Sequence, residues 1–164
     1  MLPFLHPVID IRYLGINGMK IKKILFPTDF SKAADKAFEY ALFLAGAHNA
    51  ELKLLHVVDQ LHDFDNFEIL AITPAEIVEK MVKRAHEQLQ SMVAQAGKAV
   101  AATESVREGK TWDTICKTAA EEHTDIIVMA SHGRTGLSHA LIGSVAESVV
   151  RHAGCPVLVV TGSK

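Results

Sequence analysis

The chain lacks the features that mark a secreted, membrane-spanning or disulfide-stabilised protein. Its 164 residues include only two cysteines, Cys116 and Cys155, so no disulfide framework is predicted and the cytoplasm is the expected compartment. No apolar run approaches the roughly 18 residues of a membrane span, and the first residues lack the basic start and long apolar stretch of a signal peptide. We therefore expect no membrane contact.

An excess of basic residues is also missing. The chain contains 17 Lys and Arg residues and 19 Asp and Glu residues, which gives a formal net charge of -2. Proteins that bind nucleic acid use a basic excess to release counterions, so we expect no nucleic-acid partner. The hydrophobic fraction of 49% is ordinary for a globular domain, and a chain of this length can bury one sizeable core.

Short apolar segments alternate with helical patterns along most of the chain. The strands are predicted at 22–26, 52–58, 100–106, 126–129 and 157–160. Helices are predicted to begin after Ser31, at Thr73 with a capping box to Glu76, near Thr111, and at Ser144 with an end at residue 153. Continuously apolar strands of this kind predict a single doubly wound α/β domain, with a five-stranded parallel sheet and helices on both faces. Right-handed crossovers limit the possible strand orders, and if the order is 3-2-1-4-5 it reverses between the first and fourth strands. We place this domain at residues 19–164, after an N-terminal extension at residues 1–18.

The second helix carries a long apolar stripe. Residues at helical spacing form it: Val78, Met81, Ala85, Leu89, Met92 and Ala96. Such a stripe predicts packing in the core and not a binding groove.

The loops that leave the first and fourth strands are expected to meet. In a doubly wound sheet the ligand binds beyond the carboxyl ends of the strands, where the strand order reverses. The first loop holds Pro27, Thr28 and Asp29, and the second is the stretch MASHGRTGLSHALIGSVAE at residues 129–147. Asp29 is expected either to bind a ribose hydroxyl or only to stand in the entry of the first helix.

Glycines in the second loop suit a phosphate. Gly133 permits a close backbone approach, and Gly143 precedes Ser144 at a helix start, where unpaired N–H groups and the helix dipole favour an anion. The alternative is that Ser144 is the N-cap and Glu147 completes a capping box. Both interpretations fit these residues.

The same loop lacks the lysine of a P-loop and the pattern G-x-G-x-x-G. Fast phosphoryl transfer requires charge compensation and a placed nucleophile, and neither His132 nor His139 forms an evident organised base. The nine histidines show no metal-ligand spacing. We expect slow ATP hydrolysis at most, with any Mg²⁺ carried by the nucleotide.

Three segments closely resemble the universal stress protein family from about Met19 to Val160. They read ILFPTDFS, LLHVVD and DIIVMASHGRTGLSHALIGSVAESVVRHAGCPVLVV. ATP-binding members of the family carry the pattern G-x-x-G-x9-G-[ST]. Gly133, Gly143 and Ser144 match it, whereas Ala130 stands at the first glycine position. An alanine there impairs the site only if that position needs a positive φ or has no room for a Cβ.

The resemblance implies a cytoplasmic stress-response regulator that binds ATP, ADP or AMP and contacts unidentified protein partners. The base and ribose contacts that it implies are Pro27, Thr28, Asp29, Val57, Met129 and Ala130. The phosphate contacts that it implies are His132, Gly133, Gly143, Ser144 and Val145, with Arg134 as a further candidate. Val57 is alternatively only a core residue. Two other functions stay open: a slow ATPase or nucleotide-dependent transferase, and a nucleotide-free dimeric interaction module.

The fifth strand is expected at one edge of the sheet. It is short and apolar, and its unpaired N–H and C=O groups favour pairing with another chain. Proteins that this sequence resembles pair this strand across a two-fold axis, which implies a homodimer. The alternative is that residues 1–18 cover the edge within one chain.

Overall fold

Strands of one parallel sheet alternate with helices along the chain. The computed structural model describes residues 20–59, 73–97, 100–133 and 142–161. The elements are β1 (Lys23–Pro27), α1 (Lys32–His48), β2 (Glu51–Val58), α2 (Pro74–Ala96), β3 (Ala102–Glu108), α3 (Thr111–Glu121), β4 (Ile126–Ala130), α4 (Ser144–His152) and β5 (Val157–Val160). All pairings are parallel, in the order β3-β2-β1-β4-β5. The predicted doubly wound sheet is confirmed. The predicted extension at residues 1–18 lies outside the described residues, and the domain boundary at residue 19 remains a prediction.

Four of the five strands differ from the predicted bounds by one or two residues, and the differences in the third and first strands have a clear physical reason. The third strand begins at Ala102 and ends at Glu108, about two residues later than expected, because this edge strand is only partly buried and lacks a continuous apolar run. The first strand extends to Pro27, which was expected to stand just outside it. Proline fits there because the β1–β4 pairing ends at Leu25 and Ile127, so no ladder bond requires its missing N–H.

The core has two layers, one on each face of the sheet. Ile24 and Phe26 of β1 pack with α1 and α2, whereas Leu25 between them packs with Ile115 of α3 and Val149 of α4. Successive strand residues point to opposite faces, so a strand covered on both sides must be apolar at every position. This burial explains the continuous apolar strands in the sequence. None of the helices in the described parts combines the length and apolarity that a membrane crossing requires.

Side-chain caps fix where the first two helices begin, as predicted. Ser31 Oγ accepts a hydrogen bond of 3.3 Å from the N–H of Ala34. Thr73 and Glu76 form the full capping box at the start of α2, and the backbone N–H of Thr73 lowers the pKa of the Glu76 carboxyl. Because each helix runs antiparallel to its strands, these N-termini stand at the carboxyl ends of the strands.

Candidate functional site

A cavity of about 390 Å³ opens at the carboxyl ends of β1, β2 and β4, next to the point where the strand order reverses. Every predicted contact residue that the structure describes lines this cavity: Pro27, Thr28, Asp29, Val57, Met129, Ala130, His132, Gly133, Gly143, Ser144 and Val145. Arg134 and His139 lie outside the described residues. The volume is in the range of small-molecule sites, which run from about 300 to 1,000 Å³.

Gly133 brings the loop after β4 against the carboxylate of Asp29. A Cβ added at Gly133 would stand 2.6 Å from Asp29 Oδ2, so only glycine allows this approach without a shift. The other carboxylate oxygen, Oδ1, accepts a hydrogen bond of 3.0 Å from the N–H of Ser31. Asp29 therefore stands in the entry of α1 and also lines the cavity, so the two expectations for this residue are compatible.

The N-terminus of α4 forms another wall of the cavity. Gly143 is the N-cap, with φ -73° and ψ 156°, and its N–H donates to Ser131 O at 2.7 Å. The alternative that Ser144 is the N-cap and Glu147 completes a capping box is wrong, because Gly143 is the N-cap and no described side chain forms a cap hydrogen bond with this helix. Glu147 instead accepts a hydrogen bond of 2.8 Å from Arg151. The first turn of α4 thus presents backbone N–H groups without a side-chain cap, which is the arrangement that favours an anion.

The opposite part of the cavity is apolar. Leu55 and Val57 of β2, Ile115 of α3 and Met129 of β4 line it, and all four are at least nine-tenths buried. Val57 therefore belongs both to the core and to the cavity. A surface of this kind suits a flat apolar group such as a purine base.

Ala130 does not strain the backbone at the position where ATP-binding relatives have glycine. It is the last residue of β4, pairs with Val160 of β5, and is absent from the positive-φ residues of the described chain. Alanine would impair the site if this position needed a positive φ, and that condition is thereby removed. The remaining condition is the space that its methyl group occupies beside the cavity.

Several lining residues were missed by the sequence interpretation. Asp59 follows β2 as Asp29 follows β1, and its Oδ2 accepts a hydrogen bond of 3.0 Å from Thr111 Oγ1 at the start of α3. The position directly after a buried strand was the signal that could have identified Asp59. His56 also lines the cavity, with its Nδ1 2.8 Å from Thr28 O and its ring 4.6 Å from that of Phe30. Because a carbonyl only accepts, Nδ1 carries the proton in this contact.

Met81 corrects the expectation that the apolar stripe of α2 is only core. Its side chain is 38% exposed and lines the cavity, whereas Ala85 and Leu89 on the same stripe are buried. The physical reason is position along the helix. Met81 lies about two turns nearer than Leu89 to the N-terminus of α2, and that end of the helix stands at the carboxyl ends of the strands, beside the cavity.

Charged groups in the cavity are mainly acidic. Among the described residues that line it, Asp29 and Asp59 carry carboxylates, His56 and His132 carry imidazoles, and there is no Lys or Arg. His132 Nδ1 lies 2.9 Å from Ser131 Oγ. The described part of the chain also contains no group of three or more His, Cys, Asp or Glu residues that could hold a metal ion. Backbone N–H groups, hydroxyls and the two imidazoles are thus the hydrogen-bond donors that the described walls offer to an anion.

These features define a class of protein: a doubly wound α/β domain with a ligand cavity at its topological switch point. The chain belongs to the universal stress protein family, whose family model matches residues 20–161. It is 33% identical over 154 residues to the universal stress protein MJ0531 of Methanocaldococcus jannaschii, which covers 90% of this chain and 87% of that protein. It is 32% identical to MJ0577 of the same organism, over 85% of this chain and 94% of that one.

Solved structures agree with this assignment. The structure of MJ0577 superposes with a TM-score of 0.78 at 31% identity, and the alignment covers 89% of this chain and 99% of that chain. Two more distant structures share the fold and contain nucleotides. One is a universal stress protein in complex with cAMP, with a TM-score of 0.68, 21% identity, and 88% and 100% of the chains covered. The other, from Archaeoglobus fulgidus, is in complex with dAMP, with a TM-score of 0.59, 20% identity, and 86% and 98% covered.

Proposed function

We propose that this protein is a universal stress protein that binds ATP or ADP in the cavity at the switch point. The base lies against the apolar part near Val57, the ribose hydroxyls lie near Asp29, and the phosphates lie at Gly133, Gly143 and Ser144. The observation that carries this proposal is the cavity itself, because both glycines border it at close backbone approaches and an uncapped helix N-terminus forms one wall.

The relatives support the ligand class. Members of the same fold family bind cAMP and dAMP, which share the adenine base with ATP. The carboxylate of Asp29 is an acceptor that suits hydroxyl groups and not phosphates, so it favours the ribose end of the ligand. In the proposed complex any Mg²⁺ is carried by the nucleotide.

In the proposed role the protein is a cytoplasmic regulator. Its nucleotide state changes the surface that it presents to other proteins, and β5 pairs with its own copy in a homodimer. The sequence supports regulation over catalysis because the loop after β4 carries no P-loop lysine to compensate charge on a transferred phosphoryl group.

Mass spectrometry of the purified protein after denaturation tests the ligand. We expect ATP, ADP or AMP to be released, and nucleotide-depleted protein to bind added ATP. Absence of nucleotide, together with no binding of added ATP at millimolar concentration, would instead favour a nucleotide-free interaction module.

We further predict slow ATP turnover, because the sequence carries no P-loop lysine and no evident organised base in the loop after β4. The steady-state kcat should fall well below the ordinary enzyme range of about 1–10³ s⁻¹. A phosphate-release assay with wild-type protein and with Asp29→Asn and His132→Ala variants measures this. A kcat within that range that either variant abolishes would identify an ATPase or a nucleotide-dependent transferase and contradict the prediction.

A further inference from the structure

Met81 combines two properties that no other described methionine has. It lines the cavity, and 38% of its side chain is exposed to solvent. Met129 lines the same cavity but is 5% exposed, and Met92 is partly buried against the core layer of α1 and α2, away from the cavity. A thioether that solvent reaches is the kind that oxidants attack first, because susceptibility follows exposure.

Oxidation of Met81 would change the chemistry of the cavity wall. Hydrogen peroxide transfers one oxygen atom to Sδ, the O–O bond breaks, and water leaves, so the sulfur loses two electrons and the peroxide gains them. The product is a sulfoxide, which replaces an apolar, flexible group with a polar, chiral one. Its oxygen is hydrated while the cavity is open, and an apolar ligand group that packs into the cavity beside Val57 and Ile115 would remove that water at a cost.

The two cysteines do not compete for this role. Neither Cys116 nor Cys155 lines the cavity, and burial raises the pKa of both thiols. A raised pKa leaves less of the reactive thiolate at neutral pH. Oxidation of a methionine thioether needs no deprotonation, so a pKa does not limit it in this way.

We propose that Met81 is a sulfoxidation site and that its oxidation weakens nucleotide binding in the cavity. The second clause rests on the proposed function. Sulfoxide formation at Met81 raises the nucleotide Kd about tenfold. A tenfold change corresponds to the low end of the usual free-energy cost of burying one polar group without a hydrogen bond.

The first test is the order of oxidation. Wild-type protein is treated with graded hydrogen peroxide, digested, and mapped by mass spectrometry. We expect Met81 to be oxidised before Met92 and Met129. Oxidation of either of those residues ahead of Met81 would overturn the modification site, whether or not the protein binds nucleotide.

The second test compares ATP Kd values by calorimetry before and after treatment, each protein being compared with its own untreated sample. The ratio of treated to untreated Kd should be about ten for wild type and for Met92→Leu, which removes a thioether outside the cavity. It should be close to one for Met81→Leu, which keeps an apolar side chain of similar volume. A ratio near one in wild type with Met81 fully oxidised, or a ratio near ten in Met81→Leu, would overturn the proposed link. Absence of binding by untreated wild type would overturn the proposed function and the affinity clause, while the oxidation map still decides the site.

Discussion

Replacement of Gly143 with valine should abolish nucleotide binding, with the Kd raised at least about 100-fold, or roughly 2.7 kcal/mol. A Cβ at this position would stand 3.1 Å from Ser131 O and 3.6 Å from the Cα of His132, so backbone and not a flexible side chain must yield. The two methyl groups of valine then crowd the first turn of α4, where the phosphates are proposed to lie. The measurement is calorimetric titration with ATP.

The fold should survive this substitution. The φ of -73° and ψ of 156° at Gly143 are accessible to valine, so the required backbone shift is local to the cavity wall, and circular dichroism should be unchanged. Gly154→Val is the matched control, because nothing lies within 4 Å of a Cβ added there and the residue does not line the cavity. Unchanged affinity in Gly143→Val would refute the phosphate assignment, and equal losses in both variants would indicate a general effect of the substitution.

Replacement of Val159 with lysine should convert a homodimer into a folded monomer. The carbonyls of Pro156 and Val160 accept hydrogen bonds from the N–H groups of Ile127 and Ser131. Backbone groups of successive strand residues point to opposite sides, so the N–H and C=O groups of Val157 and Val159 face the open edge of the sheet. A copy of β5 placed there would satisfy these groups, and a lysine in each strand would place like charges across the two-fold axis. Light scattering measures the change as a twofold loss of mass.

Thr103→Lys is the control for this experiment. Thr103 is exposed on β3, the strand at the opposite edge of the sheet, so the same substitution there should leave the dimer intact. Val159 packs partly against the core layer of α3 and α4, and circular dichroism must therefore show that the lysine variant is folded. Wild-type protein that is monomeric at high concentration would contradict the dimer and favour an edge covered by residues 1–18.

The sequence predicted a parallel sheet covered on both faces because the physical cause of that arrangement is local. Strands such as ILF at residues 24–26 bury every side chain, and only a sheet covered on both faces requires that. Ligands of such sheets bind beyond the carboxyl ends of the strands, where the strand order reverses, so the loop of Asp29 was expected to meet the loop of Gly133. The two loops do line one cavity.

What the sequence did not reveal depends on tertiary geometry. Met81 follows the same helical spacing as buried Leu89, and only its position nearer the cavity end of α2 separates their surroundings. The N-cap at Gly143 was missed because Ser144 has the better capping side chain, whereas the hydrogen bond from Gly143 N–H to Ser131 O fixes where the helix begins. Thr111 joins the cavity wall through its bond to Asp59, 52 residues earlier in the chain.

The most direct test of the central claim is a crystal structure of the protein with ADP or ATP. The account predicts phosphate oxygens within hydrogen-bond distance of the N–H groups at Gly133 and in the first turn of α4, a ribose hydroxyl at the Asp29 carboxylate, and the base beside Val57. A nucleotide bound elsewhere, or one whose phosphates lie away from both glycines, would contradict it.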